Sequence, residues 1–165
     1  MAAILLAAPV LAQPAGFGYS DYPGEGDRAA MGCSQERAAC IVVRCDDDFS
    51  VGLYIDTFRE SGDAGPWRIG VDRENVLILE AEPAGDDLPY NGRFTGDTAT
   101  VIERLKHGGV VFLEAMSGDA IGVQRIPLTG SLAAINEALY YCAPRVPENS
   151  ADGGAEQRPD PGGHR

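Results

Sequence analysis

The stretch Cys40-Ile41-Val42-Val43-Arg44-Cys45 predicts a strand and contains two of the four cysteines of the chain. In an extended strand, Cys40 and Cys45 point to opposite faces and lie five residues, or roughly 16 Å, apart. A disulfide joins Cα atoms that are at most about 7 Å apart, so these two cysteines cannot bond to each other. Each must find its partner elsewhere in the chain.

The N-terminal residues predict export. Residues 4–11 form an apolar run that is too short to anchor in a bilayer, and Ala12 supplies the small side chain expected before a cleavage site. Residues 1–12 are therefore predicted to be a signal peptide. No Lys or Arg precedes the run, so either the true start lies upstream or the signal is degenerate. A buried N-terminal helix is the alternative, which Pro9 would interrupt.

In the periplasm or outside the cell, the four cysteines are expected to form two disulfides. Two pairings remain open: Cys33 with Cys40 and Cys45 with Cys142, or Cys33 with Cys45 and Cys40 with Cys142. The first is favoured because residues 34–39 form a short polar connection that can fold back. Either pairing ties Cys142 to the first strand, and closing so long a loop is worth on the order of 4 kcal/mol.

The charge balance constrains the partner. The 165 residues include 25 Asp and Glu but only 13 Lys and Arg, which gives a formal net charge of −12. Nucleic acid is not an expected partner, because phosphate binding needs a basic patch. The acidic field favours a protein partner, in particular a basic one, and repels anionic lipid headgroups. No apolar run after the N-terminus is long enough for a membrane span.

Turn residues divide the chain into short strands and two helices. Asp97 or Thr98 is expected to cap a helix that ends near His107, and Ser131 to cap a second helix. The second helix should turn an apolar stripe inward, made of Leu132, Ile135, Leu139 and Cys142. Strands are predicted at 38–45, 51–58, 67–72, 75–82, 91–95, 110–116 and 120–127, with hairpin turns at 46–48, 73–74 and 117–119.

These elements predict an α+β fold with an antiparallel sheet of about six to eight short strands and two helices. A single disulfide-bonded domain is expected over residues 31–142. Residues 13–30 are rich in Gly, Pro, Tyr and Asp without a hydrophobic period, which predicts a flexible leader. Residues 143–165 are too polar to bury apolar area, which predicts a disordered tail.

The second half of the chain resembles a known family. Leu105-Lys106-His107-Gly108-Gly109 leads into a hairpin, and Ile126-Pro127-Leu128-Thr129-Gly130-Ser131-Leu132-Ala133-Ala134 opens the last helix. This ending, over residues 94–142, is similar to that of the invasion-associated locus B family of small exported bacterial envelope proteins. The resemblance implies an envelope protein and supplies no catalytic residues to place on this sequence.

The sequence contains no clear motif for catalysis or metal binding. No Cys-x-x-Cys occurs and the two histidines, His107 and His164, are far apart, so neither zinc nor a serine triad is expected. Residues 46–48 lack the spacing of a calcium loop and predict a solvated acidic turn. Fingerprints for phosphate and dinucleotide binding are absent, and no cofactor is expected.

Two aromatic residues are candidates for an interface. Trp67 lies in an alternating strand, where a lone Trp usually belongs to the core. Tyr90 lies in a loop beside Pro89 and is the better candidate for exposure. Tyr54, Tyr140 and Tyr141 are the other aromatic residues able to anchor a partner.

The leading hypothesis is a non-enzymatic exported accessory or protein-binding domain. One variant of it is an acidic inhibitor of a basic enzyme such as a lysozyme. The competing hypothesis is a hydrolase that works without histidine and uses the carboxylates of Glu80, Glu82 or Asp56. The hydrolase would need a concave pocket around at least two of these side chains.

Overall fold

The computed structural model describes residues 16–21 and 28–142, which form one antiparallel sheet and two helices. The predicted signal peptide at 1–12 and the predicted tail at 143–165 lie outside the described residues. The helices are α1 (Thr98–His107) and α2 (Ser131–Ala138). The strands are β1 (Phe17–Asp21), β2 (Arg28–Cys33), β3 (Ala39–Cys45), β4 (Val51–Thr57), β5 (Gly65–Val71), β6 (Glu74–Pro83), β7 (Gly92–Thr95), β8 (Val110–Ala115) and β9 (Gln124–Pro127).

The nine strands follow the order β1-β2-β3-β4-β7-β6-β5-β8-β9, and all neighbouring strands are antiparallel. The sheet curves until its two ends meet. The backbone N–H of Phe17 donates to the carbonyl of Thr129, just after β9, at 3.0 Å. The inner face encloses the main apolar core, which α1 and α2 complete from the side with Leu105 and Ile135.

Strand β3 is buried on both faces. Ile41 and Val43 point into the main core, whereas Val42 joins a second apolar cluster on the outer face. This explains the unbroken apolar run of the sequence, because a strand covered on both sides needs no polar alternation. The hairpins predicted for β3–β4 and β5–β6 are confirmed by their registers, in which Val42 lies opposite Tyr54 and Trp67 opposite Leu79.

The predicted leader is wrong where the structure describes it, because β1 and β2 add two strands at 17–21 and 28–33. They raise the strand count to nine, above the expected six to eight. Phe17 is buried and packs across Gly32, where a Cβ would lie 2.3 Å from its ring. Backbone pairing with β3 and this one aromatic contact therefore order a segment that shows no hydrophobic period.

The two helices agree with the sequence in position but differ in detail. Asp97 caps α1 as expected, with its carboxylate accepting a hydrogen bond from the Thr100 N–H at 3.2 Å. Ser131 does not cap α2: its hydroxyl donates to the carbonyl of Leu105 at 2.6 Å, and Gly130 occupies the cap position. Leu132 is exposed rather than inward, because α2 turns Ala134 and Ala138 to the core beside Ile135.

The predicted tight turn at 117–119 is instead a longer connection from Met116 to Val123. It is held by the loop that follows β4. The guanidinium of Arg59 donates to the Ser117 carbonyl, and the hydroxyl of Ser61 accepts from the Asp119 N–H at 3.3 Å. These contacts with a distant segment replace the local pairing that a short hairpin would have.

The cysteines adopt the first of the two pairings. Cys33 is bonded to Cys40, its direct neighbour across β2 and β3, and Cys45 is bonded to Cys142. The second bond fastens the segment after α2 to the end of β3. In the part of the chain that the structure describes, neither helix has the length and apolar character needed to cross a bilayer.

The two disulfides should differ in their contribution to stability. The Cys45–Cys142 bond spans 97 residues and the Cys33–Cys40 bond spans 7. Loop entropy then predicts that the Cys45→Ser, Cys142→Ser double variant loses about 5 kcal/mol of unfolding free energy, whereas the Cys33→Ser, Cys40→Ser double variant loses about 2 kcal/mol. Urea unfolding of both double variants measures the difference, and equal losses would contradict this account.

Candidate functional site

The Cys45–Cys142 disulfide brings together two exposed segments. One is the β3–β4 turn at residues 46–50 and the other is the segment that follows α2. The Cα atoms of Cys45 and Cys142 are 5.6 Å apart, and the sulfur of Cys142 lies 3.2 Å from the Ser50 carbonyl oxygen. Four large apolar side chains are exposed on these segments and at the first residue of β4. We call them the aromatic tip: Phe49, Val51, Tyr140 and Tyr141.

Phe49 occupies an unfavourable backbone conformation. Its φ of 63° is left-handed, and the turn is closed by hydrogen bonds from its N–H to the Asp46 carbonyl (2.9 Å) and from the Asp46 N–H to the Ser50 carbonyl (2.8 Å). Glycine or asparagine is the usual residue here, and a bulky side chain costs about 1 kcal/mol or more. Because the Phe49 side chain is 66% exposed, burial does little to offset that cost.

Tyr140 and Tyr141 supply the second half of the tip. Their ring centroids are 5.2 Å apart at 88°, an edge-to-face arrangement that aromatic pairs favour. Tyr140 is 72% exposed. A turn fixes the backbone of this segment, with the Cys142 N–H donating to the Leu139 carbonyl at 2.9 Å. The covalent bond at Cys142 therefore holds these rings beside the β3–β4 turn.

A charged network underlies the tip. The Asp46 carboxylate accepts a hydrogen bond from the Tyr54 hydroxyl at 2.8 Å. It also forms ion pairs with Arg44 and Arg93, each with a nitrogen–oxygen distance of 3.0 Å. Burial, followed by the nearby Asp46 carboxylate, raises the pKa of Tyr54 well above its usual range, so its hydroxyl stays protonated and donates. The guanidinium of Arg93 also lies over the Tyr54 ring, 5.8 Å from its centroid. These contacts fix the end of the hairpin that presents Phe49.

Two exposed carboxylates give the tip an acidic rim. Asp48 accepts a hydrogen bond from the Ser50 N–H at 2.9 Å, and hydrogen bonding to Ser50 lowers its pKa, so it is charged at neutral pH. Asp47 is fully exposed, and a guanidinium nitrogen of Arg44 lies 3.8 Å from its carboxylate. The sequence predicts a solvated acidic turn at residues 46–48, which holds for Asp47 and Asp48, whereas Asp46 is mostly buried and paired.

Both aromatic residues predicted for an interface are buried. Trp67 is fully enclosed in the core, where its indole N–H donates to the Asp63 carbonyl at 2.8 Å. Tyr90 is 4% exposed and packs on Tyr54 with ring centroids 5.2 Å apart. The loop around Tyr90 folds back over the outer face of β3 and β4, which the sequence does not reveal. Neither residue presents a surface to a partner.

The three carboxylates of the hydrolase hypothesis lie on two different strands. Glu80 and Glu82 are exposed on β6, whereas Asp56 lies on β4, with β7 between the two strands. Asp56 is partly buried, and this burial, followed by repulsion from Asp63, raises its pKa. Asp63 itself is buried and accepts hydrogen bonds from the N–H and the hydroxyl of Thr57.

His107 lies exposed at the end of α1, with Nε2 3.9 Å from Glu103. Within the described ranges, no three His, Cys, Asp or Glu side chains converge in a way that could hold a metal ion. Phe49 and Val51 are not among the residues predicted from the sequence. One signal was available: an aromatic residue directly after three aspartates, at a place where turns favour Gly or Asn.

Comparison with known proteins gives one weak match. The chain is similar to the crystal structure of invasion associated protein B from Bartonella henselae, with 12% sequence identity and a TM-score of 0.49 over 78% of this chain and 95% of that one. This confirms the weak resemblance noted in the sequence. No protein-family model matches the chain, and no curated protein matches it significantly.

The raised pKa of Asp56 predicts a pH effect on stability. The folded protein keeps a proton on Asp56 that the unfolded chain releases, so this contribution to stability is complete below about pH 4 and is lost as pH rises through the folded pKa. Asp56→Asn should therefore be more stable than the parent at pH 7 and similar to it at pH 3. Urea unfolding at both values measures this.

Glu80→Gln serves as the control, because it removes one negative charge from an exposed position. If Glu80→Gln gains as much stability at pH 7 as Asp56→Asn does, the gain reflects net charge alone. No gain for Asp56→Asn at pH 7 would show that burial does not penalise the Asp56 carboxylate.

Proposed function

We propose that this protein is a non-enzymatic, exported accessory domain that binds another protein through the aromatic tip. The proposal rests on one observation: Phe49 has a left-handed backbone conformation, and its large apolar side chain is exposed. This arrangement costs folding free energy, and little burial offsets it. Strain of this kind is typical of residues whose contribution is to binding.

The neighbouring side chains support a docking role. Phe and Tyr contribute strongly to binding when a partner desolvates them, because they bring a large contact area with few rotatable bonds. Val51, Tyr140 and Tyr141 are also exposed, and the Cys45–Cys142 bond joins the segment that carries the two tyrosines to the hairpin that carries Phe49. An exposed apolar cluster with a charged rim is a common form of protein interface.

The disulfide reduces the cost of binding. Ordering loops at an interface consumes part of the binding free energy, and a surface that is already rigid avoids that loss. Cys45–Cys142 and the Asp46 network hold both halves of the tip in place before a partner arrives. We therefore expect the tip to bind without rearranging.

The partner that fits this surface is a basic protein. Asp47 and Asp48 flank the aromatic side chains, and the whole chain carries an excess of 12 negative charges. Such a field speeds association with a cationic surface and loses strength as salt screens it. The two disulfides favour an oxidising compartment, the periplasm or the cell exterior, as the place of action.

Replacing Phe49 by glycine separates binding from folding. We expect Phe49→Gly to raise the unfolding free energy by about 1 kcal/mol, because glycine adopts left-handed backbone without strain. The same variant should lose the partner. Urea unfolding measures stability. Affinity capture from envelope extract at low salt, followed by quantitative mass spectrometry, measures binding.

Phe58→Ala is the matched control. Phe58 is 83% exposed and follows β4 at the end of the strand opposite to Phe49. The partner should be a protein that the parent and Phe58→Ala both retain, that Phe49→Gly does not retain, and that high salt releases. If Phe49→Gly captures the same proteins as the parent, the tip is not the docking surface.

A further inference from the structure

A second surface lies on the outer face of β5, β6, β8 and β9, away from the strands that form the aromatic tip. It is a groove of about 190 Å³. Gly70 forms part of its floor between Val76 and Phe112, and Val123 closes one side. Val76 and Val123 are both more than half exposed. We call this surface the arginine groove, because Arg68 and Arg73 line it and Arg125 lies beside it, over the ring of Phe112.

Two of the three arginines stack on the ring of Phe112. The guanidinium carbons of Arg73 and Arg125 lie 5.6 and 5.5 Å from the ring centroid. Stacking on an aromatic face restricts a guanidinium group and leaves its N–H edge available to accept a carboxylate in a bidentate pair. The third arginine, Arg68, already pairs with Glu114 at 2.7 Å.

Arg73 and Arg125 have no acidic partner among the described residues. This is notable in a chain with 25 acidic and 13 basic side chains, where most cations could find a carboxylate. Among the residues that line the groove, Arg68 and Arg73 outnumber the one carboxylate, Glu114, so the lining is net positive, opposite in sign to the protein as a whole. At physiological ionic strength charges act over about 8 Å, so a ligand in the groove meets this local field first.

The backbone at Arg73 adds an independent observation. Asp72 and Arg73 both have positive φ, 53° and 63°, in the two-residue turn between β5 and β6. Such turns favour Asn-Gly, so an arginine here costs stability. The Asp72 carboxylate fixes the turn by accepting from the N–H groups of Gly109 at 3.0 Å and Val110 at 2.9 Å. Arg73 is thereby held over Phe112.

We infer that the arginine groove binds an extended acidic segment of another protein. An apolar side chain of the segment enters the space above Gly70, beside Phe112, and carboxylates two residues away on either side pair with Arg73 and Arg125. Alternate residues of an extended chain share one face, so this spacing presents all three side chains to the groove. The inference concerns different strands from the aromatic tip and does not depend on the function proposed for the tip.

The probe is the acetylated and amidated peptide Glu-Ser-Leu-Ser-Glu, titrated into the full chain by calorimetry, with Gln-Ser-Leu-Ser-Gln as its neutral counterpart. We expect the acidic peptide to bind at least about tenfold more tightly, because each carboxylate gains a charge-assisted hydrogen bond to arginine. Arg73→Gln and Arg125→Gln should each weaken its binding by about tenfold. Equal affinity for the two peptides would overturn the inference.

Arg37→Gln is the matched control, since Arg37 is also an exposed arginine with positive φ, in the turn between β2 and β3. It should bind the acidic peptide like the parent. Gly70→Ala tests the apolar half of the site, because the added methyl group reaches to 3.3 Å from Val76 and narrows the space for leucine. It should weaken binding while all three arginines remain.

Two other occupants would replace the proposed one. A dimer in sedimentation velocity that Arg73→Gln abolishes would assign the groove to a second copy of the chain. A synthetic peptide of residues 143–165 that binds more tightly than Glu-Ser-Leu-Ser-Glu would assign it to the chain's own C-terminal segment. Either result overturns an acidic partner protein as the occupant.

Discussion

The rest of the structure depends on β3, the strand that is buried on both faces. Its inner side chains, Ile41 and Val43, belong to the main core, and its outer Val42 lies under Tyr54 and Tyr90. A disulfide leaves each end of the strand: Cys40 joins β2, and Cys45 joins the segment after α2. Cys40 and Cys45 are five positions apart, and because this separation is odd, their side chains point to opposite faces of the strand. The strand therefore fixes two parts of the chain that are distant in sequence.

Much of this could be predicted from the sequence, because the decisive constraints are local or covalent. The spacing of Cys40 and Cys45 excludes a bond between them, and period-two alternation at Trp67 to Val71 identifies a strand. The edge of the sheet could not be predicted in the same way. Phe17 packs on Gly32, and the backbone of β1 pairs with β2, so the order of this segment comes from partners that its own pattern does not encode.

The two candidate binding surfaces were harder to predict for a related reason. Exposure is a tertiary property: Tyr90 lies in a polar loop and is buried, because that loop folds onto Tyr54. Backbone strain was the more informative signal once the fold was known. Phe49 and Arg73 both occupy left-handed turn positions, and each projects a large side chain from the protein surface. Arg37 shares this conformation, so the backbone alone does not mark a site; Phe49 and Arg73 stand out because one lies beside other exposed apolar side chains and the other lines a groove.

Net charge alone describes this molecule poorly. A charge of −12 predicts one kind of partner, a basic one, because at long range only the sum of the charges acts. Contact surfaces respond to charges within about one Debye length, and here the two surfaces differ in sign. Asp47 and Asp48 flank the aromatic tip, whereas Arg73 and Arg125 stand over Phe112 in the groove. The residues of the tip and those of the groove lie on different strands, so a ligand at one of the two proposed sites would not block the other.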